Sequence, residues 1–147
     1  MPEPRSGWDE RDAGRFVVHL PTSVDALPGA RHDFSQWLER CRVARDISGE
    51  LLTAFSELVA NAIHAADHAA SEALACAWRD GDDVVLEVAN ATPGSIRPVH
   101  RWDLQDQLRA GGRGLQIVQA FTDSVEIDQD DQGRLIVRCR RSLAGRT

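Results

Sequence analysis

Residues 48–66, SGELLTAFSELVANAIHAA, constrain this chain more than any other stretch. Leu51, Phe55, Leu58, Ala62 and Ala66 recur at three- and four-residue steps, and Leu52, Val59 and Ile63 widen the stripe. That spacing predicts one long helix that must bury an apolar face against another layer. Ser48 is the expected N-cap, with Glu50 in the first turn where a negative charge suits the helix dipole. Beside the apolar stripe stand Glu57 and Asn61. Their i,i+4 spacing places a carboxylate and an amide one above the other. A carboxylate takes up protons, and an amide oxygen ligates hard cations. A solvated helix edge has the same spacing, so the rest of the chain must decide between the two readings.

A chain of 147 residues with 42% hydrophobic and 27% charged residues is long enough for one domain with its own core. No apolar run is long enough to cross a membrane, and the first residues contain no signal-peptide apolar segment. The expected location is therefore cytoplasmic. Cys41, Cys76 and Cys139 have no metal-binding spacing and read as reduced core or edge thiols. The net charge of -6 argues against direct nucleic-acid binding. All seventeen basic residues are Arg. With no Lys, a P-loop lysine and a kinase-type strand lysine are excluded, so phosphate chemistry here relies on Arg, backbone amides or a metal.

Along the chain, residues 1–14 read as a flexible leader and 15–147 as the domain. Arg15 to Leu20 is a strand candidate, and a helix runs from Pro28 and Gly29 to about Arg42. After the long helix, Glu72 to Arg79 and Asp83 to Asn90 form a hairpin about Asp80-Gly81-Asp82. Ala91 to Gly111 reads as a long loop that covers a ligand, with a short helix from Trp102 to Leu108. Gly112 to Phe121 becomes helical, and Ser124 to Asp128 and Arg134 to Arg140 are strands. Hairpin-linked strands predict an α+β two-layer sandwich: a mixed or mostly antiparallel sheet with helices on one face. His64 and His68 have the spacing of a helical metal pair but no third ligand, and read as the polar end of the helix. The arginines of RLIVRCRRSLAGR read as a solvated strand edge and tail.

Two further motifs carry chemistry. Gly112-Arg113-Gly114-Leu115 sits where loop meets helix, and glycines there let backbone amides approach an anion. A tight loop-to-helix turn has the same residues. Asn90 ends a strand just before Pro93 and Gly94, where a polar side chain either points into a pocket or simply forms a turn.

In this order, the Glu-x-x-x-Asn helix, the strand ending in a polar residue and the glycine-rich lid leading into a helix resemble the GHKL ATPase superfamily. SELVANAIHAA at 56–66, VLEVANATPGS at 85–95 and AGGRGLQIVQAF at 110–121 are most similar to its small serine kinases, the bacterial anti-sigma factors. The resemblance spans nearly everything after residue 15 and implies a Bergerat-type fold that binds ATP and Mg²⁺. Glu57 then corresponds to the general base and Asn61 to the residue holding Mg²⁺ against the nucleotide phosphates. Gly112, Arg113, Gly114 and Leu115 correspond to the lid-to-helix junction at the phosphates. Residues 91–111 would be the lid, and Gly94 matches a glycine of the family's adenine-side motif. The implied partners are a sigma factor, a STAS-domain anti-anti-sigma protein whose serine is phosphorylated, and a second copy of the chain in a homodimer. No phosphoacceptor-histidine domain precedes the motif in this sequence, so a sensor histidine kinase is not expected.

The departure is Asn90, where the family has an Asp that accepts a hydrogen bond from the adenine amino group. Asn offers an oxygen without charge and brings an NH₂ that needs its own partner. Charged hydrogen bonds contribute about 1.5–3 kcal/mol and neutral ones about 0.5–1.5, so the change weakens ATP binding on the order of tenfold. The sequence thus supports two readings: a serine kinase that regulates a sigma factor, or a nucleotide-impaired module of the same fold that regulates a partner without catalysis.

Overall fold

The computed structural model describes residues 15–20, 24–65, 73–89, 98–103, 113–131 and 134–144. Six strands form one sheet: β1 (Arg15–Leu20), β2 (Ala73–Asp80), β3 (Asp83–Ala89), β4 (Pro98–Trp102), β5 (Ser124–Asp130) and β6 (Leu135–Ser142). Their order in the sheet is β1-β2-β3-β6-β5-β4, and every neighbouring pair is antiparallel. Three helices, α1 (Leu27–Arg40), α2 (Arg45–Ala65) and α3 (Arg113–Phe121), supply the second layer. The expected α+β sandwich is therefore present, with a fully antiparallel sheet.

Strand alternation sorts each residue to a face. Ala73, Ala75 and Ala77 of β2, Val84, Leu86 and Val88 of β3, and Val125 and Ile127 of β5 share one buried cluster with the helices. α2 supplies Leu51, Phe55, Leu58, Val59 and Ile63 to it, the stripe that its periodicity predicts. At the centre, Phe34 stacks on Phe55 at 4.6 Å and on Trp37 at 5.8 Å, with Phe16 of β1 against all three. Fully burying one such side chain stabilises by roughly 1.5–3 kcal/mol, so this aromatic group fixes how α1 and α2 lie on the sheet.

The long helix begins one turn earlier than expected. Ser48 is inside it and donates its backbone N–H to Ala44 O at 2.8 Å, so it is not the N-cap, and Asp46 is the acidic residue of the first turn. The cause lies just upstream. Val43 N–H bonds Leu38 O at 3.1 Å and Arg42 N–H bonds Glu39 O at 3.0 Å, the Schellman pairing that ends α1. Arg42 takes φ 60° to make it, and the chain enters α2 almost at once.

Two more expectations are corrected. Residues 98–102 are not loop: they form β4, the edge strand beyond β5, and Trp102 ends that strand rather than starting a helix. The arginine-rich segment is not an edge either, because β6 lies between β3 and β5. Arg138 pairs with Glu87 and Glu126 across both neighbours, and Arg140 pairs with Asp80 and Asp83. Arg101 of β4 pairs with Asp128 at 2.7 Å and with Glu126 at 3.2 Å. These pairs cover the helix-free face of the sheet, where Arg15 also lies over the Trp78 ring at 5.1 Å.

No helix among the described residues is long and apolar enough to cross a membrane. None of the three cysteines is in a disulfide, as expected. Burial raises the Cys139 thiol to about 12 and, together with the Glu87 carboxylate, the Cys76 thiol to about 11. Burial also raises Cys41.

Candidate functional site

The sequence sets Glu57 and Asn61 on the flank of α2 because their neighbours Leu58 and Val59 are drawn into the core. Glu57 is half-buried and Asn61 exposed. Polar side chains beside them are satisfied within the helix: Thr53 Oγ1 donates to Gly49 O at 3.0 Å and Ser56 Oγ to Leu52 O at 2.8 Å. α3 packs along α2 by burying Leu115 and Val118. That packing brings Gly114, the second residue of α3, onto the Glu57–Asn61 flank.

The approach is close enough to favour glycine. A Cβ on Gly114 would stand 3.0 Å from Glu57 Oε1, 3.2 Å from Asn61 Nδ2 and 3.6 Å from Asn61 Oδ1. Carbon atoms in ordinary packing sit at about 3.5–4.0 Å from their neighbours, so any side chain here would push both polar groups aside. One patch therefore joins a carboxylate, an amide oxygen and the first turn of a helix, whose free N–H groups favour anions. A proton acceptor, a cation ligand and an anion-binding helix end are what phosphoryl chemistry requires of a protein.

Among the described residues no group of three or more His, Cys, Asp or Glu could hold a metal ion. A Mg²⁺ held here would take one protein ligand, Asn61, and complete its octahedron from phosphate oxygens and water, a common arrangement for this ion. The residues present fit that role.

Of the other expected site residues, Leu115 is buried in the α2–α3 contact, so its side chain serves packing. Arg113 opens α3. Gly112, Asn90, Gly94 and most of the expected lid, 91–97 and 104–111, lie outside the described residues, as do His68 and the leader 1–14.

Sequence reasoning missed the far end of the α2–α3 pair. Arg141, on the core face of β6 and only 6% exposed, reaches Glu50 of α2 and donates Nη1 to Phe121 O, the last carbonyl of α3, at 3.0 Å. Glu50 reads as a helix-start charge and Arg141 as a tail residue until the strand order is known. The one available signal was that Glu50 precedes Glu57 by seven residues, two turns along one helix face.

A family model for the histidine kinase-like ATPase domain matches residues 20–140. Among solved structures, one similar chain belongs to the SiaB–SiaC complex from Pseudomonas aeruginosa: 16% identity, TM-score 0.67, covering 93% of this chain and 94% of that one. Another contains the RsbU and RsbW domains of Rv1364c from Mycobacterium tuberculosis: 16% identity, TM-score 0.61, covering 87% of this chain and 31% of that one. At these identities the likeness is one of fold. No curated protein matches the chain in sequence.

Proposed function

The chain belongs to the family of histidine kinase-like ATPase domains, and from that premise we propose that it is an ATP-dependent regulator of the anti-sigma-factor type. It binds Mg-ATP between α2 and α3 and phosphorylates a serine of a STAS-domain protein. It also holds a sigma factor while that antagonist is absent. The observation that carries this reading is the convergence of Glu57, Asn61 and Gly114, from two separate helices, on one patch.

In the transfer step, Glu57 accepts the proton of the substrate serine hydroxyl. The serine oxygen forms a bond to the γ-phosphorus as the bond from that phosphorus to the leaving oxygen of ADP breaks. Bound Mg²⁺ would neutralise charge on the phosphate oxygens. Asn61 would hold that ion, and the first turn of α3, with Arg113 and Gly114, would receive the anionic end. Support for a protein partner is indirect: the first structural neighbour is a component of a two-protein complex.

A second reading rests on Asn90. If the adenine end binds too weakly, the chain is a partner-binding module without turnover. Calorimetry with Mg-ATP on the native chain and on Asn90→Asp separates the two. The kinase reading expects measurable binding in the native chain, tightened on the order of tenfold in the variant. Binding in the variant alone would leave the module; binding in neither would remove the nucleotide site. Glu57→Ala should abolish phosphate transfer while Mg-ATP still binds.

A further inference from the structure

Resting on the nucleotide-site reading above, we propose that Arg141 is a positioning residue that sets where the first turn of α3 stands against Glu57 and Asn61. Its guanidinium holds both helices at once, through the Glu50 carboxylate of α2 and the Phe121 carbonyl of α3. Glu57 lies seven residues after Glu50, and Gly114 lies seven before Phe121. The helices thus run antiparallel, with the Arg141 brace at one end and the Gly114 contact at the other, about 10 Å away at 1.5 Å per residue.

The brace is fixed to the sheet. Asp123, just after α3, donates its N–H to Arg140 O at 2.7 Å and accepts from Ser142 N–H at 2.6 Å, so the residues flanking Arg141 hold the exit of α3. Arg141 itself bonds Ser142 O through Nε at 3.2 Å. The C-terminal end of α3 is therefore pinned, and a nine-residue helix transmits that position to its N-terminus as a rigid element. The hydrogen bonds and ion pair of Arg141 go to Glu50, Phe121 and Ser142; it acts on Glu57, Asn61 and Gly114 through the length of both helices.

The test uses Arg141→Met, which keeps the stem and removes the fork. Replacing one partner of an ion pair is costly when it strands a buried charge, but Glu50 is partly exposed, at 36% for its side chain, and can turn to solvent. The variant should fold. Two readouts are needed on full-length protein. The first is the amide resonance of Gly114 and the side-chain NH₂ resonances of Asn61 in ¹⁵N-labelled protein without nucleotide. The second is Mg-ATP affinity by calorimetry.

Both sets of resonances are expected to move in Arg141→Met and in Glu50→Ala, but to stay near their native positions in Glu50→Gln, which keeps an acceptor oxygen. Mg-ATP affinity should fall about tenfold in the first two variants. Unmoved Gly114 and Asn61 resonances in Arg141→Met would overturn the proposal and leave Arg141 a purely stabilising residue, whatever the melting temperature does. Moved resonances with unchanged Mg-ATP affinity would overturn it too. If the native chain binds no Mg-ATP, the nucleotide reading fails, and the resonances alone then decide whether Arg141 places α3.

Discussion

Gly114→Ala separates the cost of the α2–α3 contact from its chemistry. In a helix, Ala is preferred over Gly by about 0.8–1.0 kcal/mol, with less of that gain in the first turn. Against the gain, the new Cβ would meet Glu57 Oε1 at 3.0 Å and Asn61 Nδ2 at 3.2 Å. Both are the free ends of side chains with solvent access, so each can retreat by a few tenths of an ångström. A shifted rotamer costs roughly 0.5–1.5 kcal/mol. The opposing effects are of one size, and the variant should unfold within about 1 kcal/mol of the native chain, a shift of a few degrees in Tm. The site should fare worse, because the displaced groups are the proposed base and the proposed metal ligand. A misplacement of about 1 Å costs on the order of 10²-fold in rate, so this smaller one is expected to weaken Mg-ATP binding and to slow phosphate transfer by several-fold. Thermal denaturation, calorimetry and a phosphotransfer assay on one preparation measure all three quantities. Native affinity and rate in a well-folded Gly114→Ala would refute the assignment. A loss of 3 kcal/mol or more would instead mean that the contact is core packing.

Arg42→Gly should raise stability by about 1 kcal/mol, read as a higher denaturant midpoint, since Arg42 holds φ 60° where glycine carries no Cβ penalty; no gain would mean that its side chain contributes contacts of its own. The thiols predict an alkaline limit. Cys76 and Cys139 are raised from 9.0 to about 11 and about 12, so their contribution is complete below pH 9 and is lost as pH rises through those values. The chain has no Lys and no Tyr, so few other side chains titrate there, and a Tm–pH curve should fall in that window and flatten in a Cys76→Ala/Cys139→Ala variant. At pH 8, a thiol reagent should modify Cys41 first, with Cys76 and Cys139 protected until the protein unfolds. Glu87→Gln removes the charge that Arg138 binds at the centre of the sheet and should cost about 1 kcal/mol by chemical denaturation; an unchanged midpoint would mean that the ion pairs on that face are only surface decoration.

The elements with strong periodicity were legible in the sequence. α2 announces itself through its apolar stripe, and the β2–β3 turn through Gly81, which takes φ 62°. β4 was not legible, because an edge strand with a proline start, a register shift near Pro98 and an exposed Val99 lacks the alternation that marks a half-buried strand. The start of α2 was hidden by a cap that resides in the preceding helix and not in Ser48. The arginines of β6 look like a solvated edge one residue at a time. The carboxylate partners of Arg138 and Arg140 lie on β2, β3 and β5, and only strand order reveals them. At the site, the residue types of Glu57, Asn61 and Gly114 could be read in advance. That they meet depends on the packing of α3 along α2, and the Arg141 brace depends on the placement of β6.

The sheet order has a kinetic consequence. β1-β2-β3 and β4-β5-β6 are two three-stranded units, each of which follows the chain, and they join only where β3 pairs with β6. Glu57 and Asn61 come from the first unit and Gly114 from the second. The pairing that unites them, Glu87 opposite Arg138, spans 51 residues, so its loop-closure entropy is comparable to that of β1 on β2 and far exceeds that of the β2–β3 and β5–β6 hairpins. The local hairpins can form before that junction closes. The site is then among the last parts of the molecule to exist during folding, and substitutions along the β3–β6 seam should slow its appearance more than that of either unit alone.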